Sequence, residues 1–226
     1  MAKIHNQIVV LERYGRSRRQ DVHTYTQNMK ILERKIPICK SVEQVMGYEG
    51  AAARYYFSTL GQLVEPEFKF EKRSRRPPKD AFNSMLSLGY SMLMNEIYGK
   101  LENRGLNPYF GFLHQDREKH PTLVSDLMEE WRAVIVDAVV MNLINGHEVK
   151  IEQFSHATEE NGIFLNRDAM RIFINKMEKR MGTDNSYLKN IDYRVSFRRS
   201  LELQIDSLIH AMQDNDADMY QPVRIR

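Results

Sequence analysis

The run 133–144, AVIVDAVVMNLI, constrains the fold of this chain more than any other stretch. It is the longest apolar run and is interrupted by Asp137. It is also too short to span a bilayer, which takes about 20 residues. It falls inside a helical pattern that starts near Thr122, runs to about Asn145 and stops at Gly146. Most of the remaining chain repeats that design. Ile4, Ile8 and Leu11 have helical spacing over 2–14, and a second helix is expected from about Val22 to Leu32, before Ile36-Pro37 breaks it. Ser41 with Gln44 three residues later is a capping-box signature for a helix over about 41–60. A long helix is expected over 80–103 with Gly105 as its cap, and further helices over 167–181 and 193–212. Residues 65–80 mix charge with Pro77-Pro78 and read as an extended loop. There is no sustained strand alternation, internal repeat or low-complexity tract. The expected fold class is all-α, with 1–226 a single helical unit.

Cys39 is the one cysteine, so no intrachain disulfide can form, which fits a reducing compartment. The apolar stretch IVVL near the start is too short for a signal-peptide core, and the expectation is a soluble cytoplasmic protein. The formal net charge of +3 hides an asymmetry. Residues 1–40 hold nine Lys/Arg against three Asp/Glu, whereas 121–160 hold two basic and eight acidic residues. That distribution is either ordinary patchiness or a polyanion-binding region beside an acidic centre.

On one continuous helix, Asp126, Glu129, Glu130 and Asp137 would share a face. Such a stripe is either solvated surface or half of a metal site. Glu49 sits among Val45, Met46, Ala52, Ala53 and Tyr56, positions expected to face the core, where an ionised carboxylate must be paired or bound to metal. Its alternatives are partial exposure or pairing with Arg54. Gly47 and Gly50 beside it make sense if another backbone or a ligand comes close. His114, next to Phe112-Leu113, is either a hydrogen-bonded structural residue or a ligand. Together, Glu49, His114 and the Asp126/Glu129 pair make an oxygen-rich set with one imidazole, suited to Mg²⁺ or Mn²⁺. No CxxC, HExxH or paired-histidine pattern marks a zinc site, and Cys39 alone makes no nucleophilic triad. Arg13, Arg16, Arg18 and Arg19 form one basic cluster. Lys69, Lys72, Arg73, Arg75, Arg76 and Lys79 form another, with Phe68 and Phe70 interleaved to stack or to pack. Clustered arginines of this kind favour nucleic acid.

The segments VMGYEGAAARYYF, RRPPKDAFNSMLSLGYSMLMNEI, RGLNPYFGFLHQDREKHPTLVSDLMEEWR and YQPVRIR resemble, in this order, the helical domain of the CRISPR adaptation integrase, the Cas-one family of CRISPR-associated endonucleases. The resemblance covers nearly the whole chain from Lys3. It implies metal-dependent DNA endonuclease and integrase activity, in which a 3′-hydroxyl attacks a phosphodiester to insert captured spacer DNA into a repeat array. It implies a divalent ion, Mg²⁺ or Mn²⁺, held by Glu49 of a G-x-E-G motif, His114 of a G-F-x-H motif and Glu129, with Asp126 assisting. It places Asn83 and Tyr90 at polar positions that line the site. The DNA-binding residues expected are Arg16, Arg18, Arg19, Arg54, Arg73, Arg75, Arg76 and Lys79. The implied partners are spacer-precursor and repeat DNA, a second copy of the chain, and the small second CRISPR adaptation protein. In the family a β-rich domain precedes the helical one, and the chain is expected to correspond to the helical domain alone. The runner-up reading is a DNA-binding helical fragment that is inactive without that β-domain.

Overall fold

The structure is a computed structural model that describes residues 1–114, 120–156, 161–189 and 191–226. It is all-α, with eight α-helices and two small antiparallel ladders among the described residues. The first half runs α1 (Ala2–Arg18), α2 (His23–Lys35), α3 (Val42–Gln62) and α4 (Ala81–Glu102). Then come α5 (Thr122–Met128), a π-helical turn (Ala133–Asp137) and α6 (Ala138–Asn145). The ladder β1 (Phe154–His156) with β2 (Ile163–Leu165) precedes α7 (Arg167–Met181), and the ladder β3 (Asp184–Asn185) with β4 (Val195–Ser196) precedes α8 (Phe197–Gln213). No helix among the described residues is long and apolar enough to cross a membrane.

The helix starts follow from side-chain caps. Ser41 Oγ accepts from the Gln44 N–H at 3.4 Å, and Asp80 Oδ1 accepts from the Asn83 N–H at 2.7 Å. Asn166 and Ser196 cap α7 and α8 in the same way. Gln44 closes its box on the Lys40 N–H rather than on that of Ser41. Gly105, at φ 72°, takes the left-handed position that ends the chain's turn out of α4. The expected helix over 193–212 begins later, at Phe197, because Val195 and Ser196 pair with Asp184 and Asn185.

The expected continuous helix over 122–145 is broken. Its regular hydrogen bonding stops at Met128, a tight turn carries Glu129 to Trp131, and a π turn comes next. Each extra residue in a helix rotates the downstream side chains by about 100°. The four acidic residues therefore do not form one stripe. Glu130 turns to the C-terminal tail, and Asp137 is sealed in the core. One hydrophobic cluster reaches from Ile4 through Trp131 and the 133–144 run to Ile225. At the crossing of α4 with the π turn, a Cβ on Gly89 would overlap Val136 Cγ1, so only glycine lets the two backbones approach this closely.

Candidate active site

Three segments distant in sequence deliver charge to one place. Lys3, on the first turn of α1, puts its ammonium 2.6 Å from Glu129 Oε2 and in contact with Glu49 Oε1 of α3. Glu49 pairs with Lys3, not with Arg54, which is exposed. Glu129 Oε1 lies 3.1 Å from the Arg132 guanidinium, one helical turn on. Burial pushes the Glu129 carboxyl up, but the Lys3 and Arg132 charges outweigh it and hold it at about 2. Glu129 is therefore a fixed anion with little exposure.

The placement of Glu49 differs from the expected core-facing stripe. Val42 and Met46 are exposed, and burial on α3 begins only with Ala52 and Tyr56. The front half of α3 thus stands at the surface with Glu49 on its flank. Gly47 and Gly50 have no protein atom within 4 Å of where a Cβ would stand, so no packed backbone accounts for them. They leave the α3 face beside Glu49 open.

His114 is held by Asp126. Asp126 Oδ1 lies 2.5 Å from His114 Nδ1, and the same carboxylate accepts the backbone N–H groups of Phe112, Leu113 and His114 at 2.6, 2.9 and 3.2 Å. Gly111 permits this wrap, since a Cβ there would stand 2.7 Å from Asp126 Oδ2. Burial alone would raise the Asp126 pKa, but the bonds from His114, Leu113 and Phe112 lower it. The Asp126 hydrogen bond raises the His114 pKa against desolvation, and the Asp126, Glu129 and Glu49 charges add to it. Asp126 thus has the geometry of an orienting carboxylate: it fixes the imidazole and leaves Nε2 as the nitrogen not committed to it. The stretch after His114, residues 115–119, lies outside the described residues.

Asn83 and Tyr90 stand behind this constellation rather than in it. Asn83 is fully buried and ties the basic loop to α4, accepting from the Ser74 N–H at 3.0 Å and donating to the Lys72 carbonyl at 2.9 Å. Tyr90 donates to Asp137 Oδ1 at 2.6 Å, and Tyr56 donates to Oδ2 at 2.7 Å. Burial outweighs these bonds and raises the Asp137 pKa to about 6. The Tyr90 ring meets the Arg132 guanidinium at 5.1 Å, so Tyr90 backs the arginine that holds Glu129.

The basic residues separate into groups. Arg73 turns inward, donating to Asn83 at 2.9 Å and Ser87 at 3.1 Å with its guanidinium 5.4 Å from the Tyr90 ring centre. Arg75, Arg76 and Lys79 are exposed. The first two border an open groove of about 670 Å³ with Ser87, Ser91, Phe164 and Met170. Phe70 stacks on Phe82 at 4.1 Å and Phe68 meets Phe154 edge-on, so both aromatics pack rather than present free faces. Arg16, Arg18 and Arg19 occupy the far end of α1, about 20 Å along the helix from Lys3. Arg18 there pairs with Glu65 at 2.8 Å.

The donor set suits a divalent ion in kind. Two hard carboxylates converge on one cationic group, and Glu129 Oε2 is buried without a hydrogen bond of good geometry. A carboxylate-oriented imidazole stands within their electrostatic reach. Among the described residues no three His, Cys, Asp or Glu side chains are grouped closely enough to hold an ion, and the Lys3 ammonium occupies the place between the two glutamates. Neither Lys3 nor Arg132 stood out in the sequence. The signal available for Arg132 was its i+3 spacing from Glu129, whereas Lys3 meets Glu49 only through the tertiary fold.

Residues 1–179 match the family described as CRISPR associated protein Cas1. The chain belongs to the Cas1 family. It is 42% identical over 194 residues to a CRISPR-associated endonuclease Cas1 of Mycobacterium tuberculosis, an alignment that covers 86% of this chain and 57% of the relative. It is 37% identical over 186 residues to a CRISPR-associated endonuclease Cas1 of Thermus thermophilus, covering 81% and 54%. The chain thus spans little more than half the length of these curated Cas1 relatives. Among solved structures, a Cas6-RT-Cas1–Cas2 complex matches with a TM-score of 0.88 at 28% identity, over 100% of this chain and 24% of that one. A casposase bound to integration product matches with a TM-score of 0.83 at 24% identity, over 100% and 62%, a likeness of fold. The Cas1 match takes in all the candidate site residues, from Lys3 to Arg132.

Proposed function

We propose that the chain carries the catalytic helical portion of a metal-dependent Cas1 endonuclease and integrase that joins a DNA 3′-hydroxyl to a phosphodiester during spacer acquisition. The observation that carries this reading is the convergence of Glu49 and Glu129 on a single cationic group, with His114, held by Asp126, within reach of their charge. Glu49, Glu129 and His114 would hold Mg²⁺ or Mn²⁺. When bound, that ion supplies charge to stabilise the phosphorane-like transition state and lowers the barrier to attack. The residues of the chain do the rest. Asp126 fixes the imidazole ring, Arg132 keeps Glu129 ionised, and Tyr90 keeps Arg132 in place.

The exposed Arg75, Arg76 and Lys79, with Arg54 and the Arg16–Arg19 end of α1, supply the phosphate contacts. Arg73 contributes through the loop it anchors. The Cas2 component of the Cas6-RT-Cas1–Cas2 complex supports a small Cas2-type partner, and we extend the proposal to a second copy of the chain, to spacer-precursor and repeat DNA, and to a cytoplasmic setting.

The test is nicking of supercoiled or branched DNA in Mn²⁺. Wild type should nick, and Glu49→Ala, His114→Ala and Glu129→Ala should each abolish nicking while changing DNA affinity less than threefold, a margin of roughly 0.6 kcal/mol. A wild type that binds DNA without nicking it would leave the DNA-binding module as the correct reading. Nicking that survives all three substitutions would remove this site from the chemistry.

A further inference from the structure

Lys3 is the one charged group in the constellation that the proposed reaction does not use. Its ammonium lies between the two carboxylates, touching Glu49 Oε1 and standing 2.6 Å from Glu129 Oε2. It is not a loose surface lysine, since only 15% of its side chain is exposed. The helix that carries it is pinned one turn later. Asn6 donates to the Glu130 carbonyl at 2.8 Å and the Val223 carbonyl at 3.0 Å, and accepts from the Ile225 N–H at 3.0 Å. That clamp joins α1 to the peptide next to Glu129 and to the C-terminal tail, so the Lys3 backbone has a fixed address beside the carboxylates.

In the contact to Glu129, charge outweighs hydrogen bonding. Glu129 Oε2 has no hydrogen bond of good geometry, although the ammonium lies within ion-pair distance. A bond of this kind holds strongly where water is scarce, yet it has no directional lock. A lysine also has a flexible four-carbon stem, so its head can withdraw while the helix stays in place. A divalent cation seeking the same two carboxylates therefore meets a resident monovalent one.

We propose that Lys3 is a built-in competitor for the divalent ion, bridging Glu49 and Glu129 and giving way when the ion binds, so that its charge sets the affinity of the site. The proposal rests on the ligand assignment above. It makes the resident ammonium serve two ends. It keeps two like charges from repelling each other before an ion arrives, and it raises the ion concentration needed to fill the site.

The experiment titrates Mn²⁺ alone into the DNA-free chain by calorimetry and by the loss of the free-ion electron paramagnetic resonance signal, with melting temperature measured in parallel. Lys3→Met keeps the aliphatic stem and Lys3→Gln keeps a polar end, so two neutral variants guard against misfolding of either. Both should bind Mn²⁺ about tenfold tighter than wild type. They should melt lower than wild type without Mn²⁺ and gain more from its addition. Lys3→Arg, which keeps the charge, should bind no tighter than wild type. If the neutral variants bind with wild-type or weaker affinity while Glu129→Gln abolishes binding, the competitor role is overturned and the ligand assignment stands. If Glu49→Gln and Glu129→Gln bind as wild type does, the ligand assignment falls and takes the competitor role with it.

Discussion

Asp126 shows how much one side chain can organise. Its two oxygens take three consecutive backbone N–H groups and a ring nitrogen, turning 112–114 into a fixed cradle for His114. The pair has a definite pH window. The lowered Asp126 pKa means its share of stability is present above the ordinary carboxylate value and is lost as pH falls through the folded one. The raised His114 pKa means its share is present below the ordinary histidine value of 6.5 and is lost as pH rises through the folded one. The proposed coordination needs the neutral imidazole, so nicking should fall along an acid limb as pH drops and His114 takes up its proton, which the neighbouring carboxylates favour. Asp126→Asn should move that limb to lower pH, because the bond and the charge that hold the proton are gone. It should also cut Mn²⁺ affinity by about 10- to 100-fold through loss of ring orientation. A pH–rate profile paired with a Mn²⁺ titration checks both, and an unshifted limb would mean that Asp126 does not control the imidazole.

Among the elements, the broken helix between Thr122 and Asn145 matters most. The π turn at 133–137 places Asp137 between two tyrosines and lets Arg132 reach back to Glu129. Its neighbour α4 touches it at Gly89, where a methyl would overlap Val136. Gly89→Ala should therefore destabilise by about 1–3 kcal/mol, although alanine is the better helix former. Thermal melting of the variant would show it, and a Tm equal to or above that of wild type would mean that α4 and the π turn are not in contact. The start of α3 was legible in Ser41 and that of α4 in the run from Asp80, since a cap is a local bond written in adjacent residues. The π turn was not legible. In a run as rich in apolar residues as 133–144, one extra residue leaves no mark on the periodicity, so an unbroken helix and a false acidic stripe were the natural reading. The same limit hid the surface position of Glu49, because Val45 and Met46 look like core positions and only the packing of α3 decides that they are not.

For the molecule as a whole, charge is divided between an interior that is balanced and a surface that is not. The acidic residues near the site find partners within the fold, Glu129 the charges of Lys3 and Arg132, and Glu130 hydrogen bonds from Gln204, Tyr220 and the Val223 N–H. The exposed Arg75, Arg76 and Lys79 have no such acidic partner among the ion pairs of the described residues. DNA affinity should accordingly fall steeply with salt, and Arg75→Ala with Arg76→Ala should reduce the slope of log K against log salt by about 1.4–1.8, close to one for each phosphate no longer neutralised. Fluorescence anisotropy across a salt series measures this, and an unchanged slope would remove the loop from the DNA contact. The basic clusters were legible from composition, whereas Glu49, His114 and Glu129 entered as a proposed ligand set through the family resemblance, and what the fold adds is the meeting of Glu49 and Glu129 at Lys3. Which arginines point outward was not legible, because Arg73 and Arg75 differ only in what α4 offers them.

The clamp of Asn6 on Val223 and Ile225 has a practical corollary. Helix α1 and residues 223–225 grip each other at the doorstep of the two glutamates, so a change that loosens one releases the other and the floor beneath Lys3 with it.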